Sequence, residues 1–255
     1  MRLFVRFKIF VIALVVTILV VVAKYFLHAS GIEPIEQTSI HNGVVSSVIF
    51  VVGFVLSATI TDYKESERIP ADFAAMIQDM FEDAAEIKKT HQKFDLEHFR
   101  KNLIDILETF REGTRPKRRG AREDINDLHV TFGEMERAGV PANFIVKLKQ
   151  QQTQLLRSMY RVNYIQKINF MPSASILVRA IVVLVTALLL LTNIDPFFGG
   201  LMIVGFITFI MMYMVLLIQV ISKPFRPEGT TQDDVSLFLL RETIEHLKKR
   251  KVKKS

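Results

Sequence analysis

The 255 residues of the chain include no cysteine. Disulfides, thiolate nucleophiles and zinc–thiolate sites are therefore excluded. Catalytic motifs are lacking as well, because the sequence has neither a glycine-rich phosphate-binding loop nor an HExxH zinc motif. The six histidines are scattered without an acidic ligand set, and helical ion pairing accounts for most carboxylates. These absences predict a protein that is not an enzyme and that holds no cofactor.

Long apolar runs are what the sequence has in abundance, since half of its residues are hydrophobic. A helix needs about 20 apolar residues to cross the hydrocarbon core of a bilayer. Four segments meet this requirement, namely Phe7–Phe26, Asn42–Thr61, Ala174–Ile194 and Gly199–Ile221. The sequence therefore predicts an all-α membrane protein with four transmembrane helices and the lipid bilayer as a partner.

The first apolar segment has two interpretations. Basic residues precede an apolar core of about 15 residues, as they do in a cleaved signal peptide. However, Lys24, Tyr25 and Phe26 continue the segment towards an aromatic and basic end, as at a membrane interface. We therefore expect an uncleaved transmembrane helix.

The distribution of basic residues predicts the orientation. The connectors between spans one and two and between spans three and four contain no Lys or Arg. Cytoplasmic loops of membrane proteins carry an excess of these residues. Both termini and the region between spans two and three should therefore be cytoplasmic, in a cell (inner) membrane. The basic tail KKRKVKK follows the same rule, so it is no evidence for a nucleic-acid partner.

These boundaries divide the chain into four parts. Residues 1–61 hold spans one and two, residues 62–172 a cytoplasmic region, residues 173–221 spans three and four, and residues 222–255 a cytoplasmic C-terminal segment with its basic tail. Apolar positions in residues 62–172 recur at helical spacing. We expect two long helices that extend spans two and three, with shorter helices between them.

Span two is divided lengthwise into two chemically different faces. Aliphatic side chains cover one face, which we interpret as lipid-facing. The other carries small, polar and phenyl side chains, namely Gly43, Ser46, Ser47, Phe50, Gly53, Phe54, Ser57 and Thr61. Small residues allow close helix packing in membranes, but Ser46, Phe50, Gly53, Phe54 and Ser57 could instead form the wall and constriction of a pore. A pore would require an oligomer, because a single helix encloses nothing.

Two stretches resemble the bestrophin family of anion channels. FVVGFVLSATITDYKESERIP, Phe50–Pro70, is similar to the bestrophin second span, which has a Phe-x-x-Gly-Phe pattern and a charged, aromatic continuation. SKPFRPEGTTQDDVSLFLL, Ser222–Leu240, resembles the bestrophin exit from span four, where an Asn-Pro-Phe-Gly junction precedes acidic residues and a helix. The two stretches occur in the bestrophin order with a helical region between them.

The resemblance implies a homopentamer around a central pore that conducts anions such as chloride passively. Phe50 and Phe54 match phenylalanines of the bestrophin neck, and Pro224 and Phe225 match the Pro-Phe pair. Ser46 stands where animal members have an apolar residue. Animal members hold calcium with a dense acidic run after the junction. Here that run is interrupted and offers only Glu228, Asp233 and Asp234, so we expect no metal site.

Two other functions share this arrangement of spans. Proton-driven motor stator subunits of the MotA and TolQ type also have a long cytoplasmic region between pairs of spans, but their Gly-Thr-rich stretches are not evident here. A non-conducting scaffold or sensor would use the cytoplasmic helices to bind a partner. Conductance in liposomes separates the channel from both.

Overall fold

The computed structural model describes residues 7–112, 121–167, 172–225 and 234–250. Over these ranges nearly all of the chain is helical, which confirms the predicted all-α class. The helices are α1 (Lys8–Ala29), α2 (Ser39–Thr90), α3 (Leu96–Glu112), α4 (Ala121–Arg137), α5 (Ala142–Lys167), α6 (Pro172–Leu191), α7 (Phe197–Ile221) and α8 (Phe238–Lys249). Two short strands, β1 (Ile35–Glu36) and β2 (Thr192–Asn193), pair in parallel.

Four of the helices are long and apolar enough to cross a membrane: α1, α2, α6 and α7. They overlap the four predicted spans, but the third, predicted as Ala174–Ile194, is helical only to Leu191, because Thr192 and Asn193 form β2. Span two continues without interruption as the 52-residue helix α2, which confirms the expected long extension. Pro70 lies inside α2 although proline lacks the amide hydrogen that an interior helical position donates. A similar extension was predicted for span three. It would pass through residues 168–171, which lie outside the described ranges.

The chain forms two compact units. The first contains α1, the part of α2 up to Lys64, α6 and α7. Its core consists of aliphatic side chains from three helices, including Val45 and Val52 of α2 and Val182 of α6. Helix α1 packs against α7 and α6. A Cβ atom added at Gly205 would lie 3.1 Å from Val21 Cγ2, so this glycine permits the close approach of α7 to α1.

The sequence predicted that Lys24, near the end of α1, lies at a membrane interface. In the structure it is buried instead, with only 1% of its surface accessible. Its Nζ atom donates hydrogen bonds to the backbone oxygens of Leu190, at 3.2 Å, and Thr192, at 2.5 Å. These groups lie at the end of α6 and in β2. The neighbouring Tyr25 and Phe26 do remain exposed, as the aromatic end predicted. Lys24 can be buried because these backbone oxygens accept hydrogen bonds from its ammonium, which would otherwise be unstable away from water.

The second unit begins at Glu65 and contains the remainder of α2 together with α3, α4, α5 and α8. Helices α3 and α4, α4 and α5, and α3 and α8 pack in pairs. Its core is aromatic and aliphatic, and the rings of Phe73 and Phe110 stack with their centroids 4.2 Å apart. Arg100 of α3 donates to the Leu247 carbonyl at 2.8 Å, which satisfies one of the free acceptors at the end of α8.

Candidate ion path on α2

The start of α2 is set by a local cap. The backbone N–H of Thr38 donates to His41 Nδ1 at 3.1 Å, and the Thr38 hydroxyl lies 2.7 Å from the same nitrogen. The contact from the Thr38 N–H to a side chain three residues on is one half of a capping box, with an imidazole in the place of the usual Glu or Gln. The sequence Thr-x-x-His carried this signal, and our sequence interpretation missed it. The cap fixes the first turn of the helix that bears the candidate site.

Both phenylalanines of the predicted neck are exposed on the surface of the first unit. Phe50 is 75% accessible and Phe54 is 68% accessible, although phenyl rings usually lie in a protein interior. Ser46 and Ser57 are exposed on the same face, and Gly53 is half-buried between the rings. Within the described residues, the structure therefore leaves four of the five predicted residues exposed on one face of α2, with Gly53 half-buried at its side.

The opposite face of α2 is packed within the unit. Val45 and Val52 belong to the buried core, and Val48, Ile49 and Leu56 pack against it. The interpretation of this face as lipid-facing is therefore wrong for its centre, because aliphatic residues suit a protein core as well as lipid. Among the described residues, the face with Phe50 and Phe54 is consequently not a packing face within one copy of the chain.

The small residues of the exposed face also have no packing role within the described part of the chain. A Cβ atom added at Gly43 or Gly53 would meet no atom within 4 Å. The hydroxyl of Ser47 donates to the Gly43 carbonyl at 2.8 Å, and the hydroxyl of Thr61 donates to the Ser57 carbonyl at 3.1 Å. Each hydroxyl keeps lone pairs that can accept from water. The face thus alternates water-tolerant positions with a pair of apolar rings.

A cleft of about 280 Å³ lies beside the first turns of this face. Its polar side includes Gln37, Asn42 and Ser46, and its apolar side is formed by residues of α6 and α7 such as Leu189 and Ile207. Gln37 Nε2 donates to Asn42 Oδ1 at 3.3 Å. Apart from Ser46, these residues were not predicted as functional, because their contribution depends on α6 and α7 lying next to α2.

The second predicted motif, Pro224 and Phe225, lies where the chain passes from the first unit to the second. Pro224 is buried and Phe225 is half-buried, so neither belongs to the exposed face of α2. Of the interrupted acidic run, Glu228 and Asp233 lie outside the described residues. Among the residues described, no group of three or more His, Asp or Glu side chains is placed to hold a metal ion.

Comparison with known proteins finds similarity in three dimensions only. No protein-family model matches the sequence, and no curated protein does. Two crystal structures of variants of a bacterial bestrophin homologue from Klebsiella pneumoniae superpose with TM-scores of 0.79, at 11% and 12% sequence identity. They cover 93% and 94% of this chain and 96% and 95% of the homologue. The fold is bestrophin-like.

A third crystal structure, described as a membrane protein, superposes with a TM-score of 0.78 at 12% identity. It covers 93% of this chain and 97% of its own. The similarity therefore extends over nearly the full length of both chains. The four apolar helices and the bestrophin-like fold both point to a membrane protein.

Proposed function

We propose that the chain forms an oligomeric ion channel that conducts anions passively, with Phe50 and Phe54 at its narrowest apolar constriction. The observation that carries the proposal is the exposure of these two phenyl rings on one face of α2, while the other face is buried in the unit. The bestrophin-like fold supports it, since bestrophins form a family of anion channels. A homopentamer in the inner membrane, with both termini cytoplasmic, is part of the same proposal.

The chemistry of the exposed face suits this role. A ring of phenyl groups offers no hydrogen bonds to water, so a narrow path through it tends to dewet and close. The edges of phenyl rings carry positive quadrupole density, which is favourable to a passing anion. Ser46 and Ser57 lie about one turn to either side of the rings, and their hydroxyls can replace part of the hydration shell of chloride.

The experiment removes both rings and measures two quantities. The double variant Phe50→Ala with Phe54→Ala should raise basal chloride flux in liposomes, because smaller side chains widen and wet the constriction. Its oligomer size in detergent should match that of the unaltered protein. The matched control is Phe198→Ala with Phe206→Ala, which removes two equally exposed phenyl rings from α7. This control should leave chloride flux unchanged.

The alternative is that the face with Phe50 and Phe54 only packs against another copy. The same truncations would then remove buried contacts worth about 3–5 kcal/mol each. Oligomer assembly would fall and flux would not rise, which would refute the constriction. Absence of flux from the unaltered protein would favour the scaffold, and recovery of a single-span partner with it would favour the stator.

A further inference from the structure

The exposed face of α2 continues beyond the phenyl rings to a basic residue. Ser57, Thr61 and Lys64 follow at steps of four and three residues, and all are exposed. Such steps place side chains on one helix face. Lys64 is the first charged side chain that this face presents after Phe54. It is also the last residue of α2 that belongs to the first unit.

Within the described part of the chain no hydrogen bond or ion pair involves the ammonium of Lys64, although the exposed Glu67 follows it by three residues on the same side of α2. The adjacent Glu65 is engaged elsewhere, since its Oε1 atom lies 3.0 Å from Arg161 Nη2. Asp62, two residues earlier, is about 200° around the helix from Lys64. The positive charge is therefore presented on the face of the candidate path.

We infer that Lys64 sets the preference of the path for anions over cations. This inference rests on the proposed function, because only an oligomer can bring several copies of Lys64 around one path. Each copy of the chain would then contribute one ammonium group to a basic ring. Ten residues of helix separate Lys64 from Phe54, so this ring would lie about 15 Å along the path from the constriction.

The distance determines how the ring acts. Electrostatic potential decays over about 10 Å at 0.1 M salt and about 30 Å at 0.01 M. The ring therefore influences the constriction strongly in dilute salt and weakly in concentrated salt. A path lined by one sign of charge concentrates the opposite ion, by about tenfold or more. Lys64 should thus enrich chloride at one mouth of the path and repel sodium.

A simpler role for Lys64 is anchoring, since lysines collect at the cytoplasmic end of membrane spans. An anchoring lysine would affect insertion or stability but not the choice of ion. The discriminating measurement is therefore the ratio of chloride to sodium permeability, obtained from the reversal potential under a sodium chloride gradient.

The variants are Lys64→Gln, Lys64→Glu and Lys64→Arg, with Lys8→Gln as the matched control. Lys8 is an exposed lysine of the same unit, at the start of α1 and off the proposed path. At about 0.02 M salt, Lys64→Gln should lower the permeability ratio by about tenfold and Lys64→Glu by more. At about 0.5 M salt both effects should largely vanish. Lys64→Arg and Lys8→Gln should retain the ratio of the unaltered protein.

The outcomes separate this inference from the proposed function. If the unaltered protein conducts and Lys64→Gln has the same permeability ratio as Lys8→Gln, the role of Lys64 is refuted and the channel stands. If the unaltered protein does not conduct, both fail. If Lys64→Gln does not assemble, the permeability ratio of the unaltered protein is measured at about 0.02 M and about 0.5 M salt. A ratio that does not change with salt would exclude a long-range charge effect and refute the role of Lys64.

Discussion

The ammonium of Lys24 lies 2.6 Å from the Oε1 atom of Glu33, and both side chains are almost fully buried. The other carboxylate oxygen of Glu33 lies 2.8 Å from His28 Nδ1. The His28 ring in turn stacks on Phe197 with the centroids 3.9 Å apart. These contacts join the end of α1, the connector before α2 and the start of α7.

The first prediction concerns this buried ion pair. Glu33→Gln should lower the free energy of unfolding by about 3–5 kcal/mol, because it leaves the Lys24 charge buried without its counter-charge. The measurement is thermal unfolding in detergent. Glu86→Gln serves as the control, since it breaks an exposed pair with Lys89 whose side chains are mostly accessible. Such surface pairs contribute little. Equal stability of the two variants would contradict the prediction.

The second prediction is the pH dependence of the same group. Burial raises the pKa of Glu33, but the hydrogen bonds and charges of His28 and Lys24 outweigh it, so the pKa lies below its ordinary value of 4.5. A carboxyl whose pKa is lowered by folding stabilises the protein above its ordinary pKa, and this contribution is lost as the pH falls through the folded-state value.

The melting temperature should therefore decrease as the pH is lowered from 4.5, and it should decrease less in Glu33→Gln than in the unaltered protein. Glu36→Gln alters an exposed carboxyl of the same connector and provides the control. We expect this variant to keep the acid dependence of the unaltered protein. Identical slopes in all three proteins would show that Glu33 is not responsible for the acid sensitivity.

The third prediction uses two adjacent glycines at the start of α7. A Cβ atom at Gly200 would lie 2.6 Å from Ile194 Cγ2 and 3.1 Å from the Ile194 backbone oxygen. Gly200→Ala should therefore cost about 1–3 kcal/mol of stability through overpacking. At Gly199 the nearest atom, Cγ of Pro196, is 3.5 Å away, which is an ordinary contact. Gly199→Ala should be neutral or slightly stabilising, so comparable melting temperatures would contradict the argument.

Much of the fold could be predicted because helix length and hydropathy are local properties. The predicted spans Phe7–Phe26 and Gly199–Ile221 overlap closely with helices Lys8–Ala29 and Phe197–Ile221. The shared face of Phe50 and Phe54 also followed from periodicity alone, since 3.6 residues complete a turn. Resemblance in two short stretches indicated the bestrophin-like fold at sequence identities of only 11–12% to the two homologue structures.

The sequence by itself determined the four candidate spans, their approximate positions and the set of residues on each face of α2. The tertiary structure decided which face is covered, placing Val45 and Val52 in the core and leaving Phe50 and Phe54 open. It also decided that Lys24 is buried against Glu33 rather than exposed. The reason is that lipid and protein interior are equally apolar, so hydropathy does not distinguish a packed face from a lipid-facing one. Likewise, the partners of a charge lie wherever the chain brings distant carbonyl and carboxylate oxygens together.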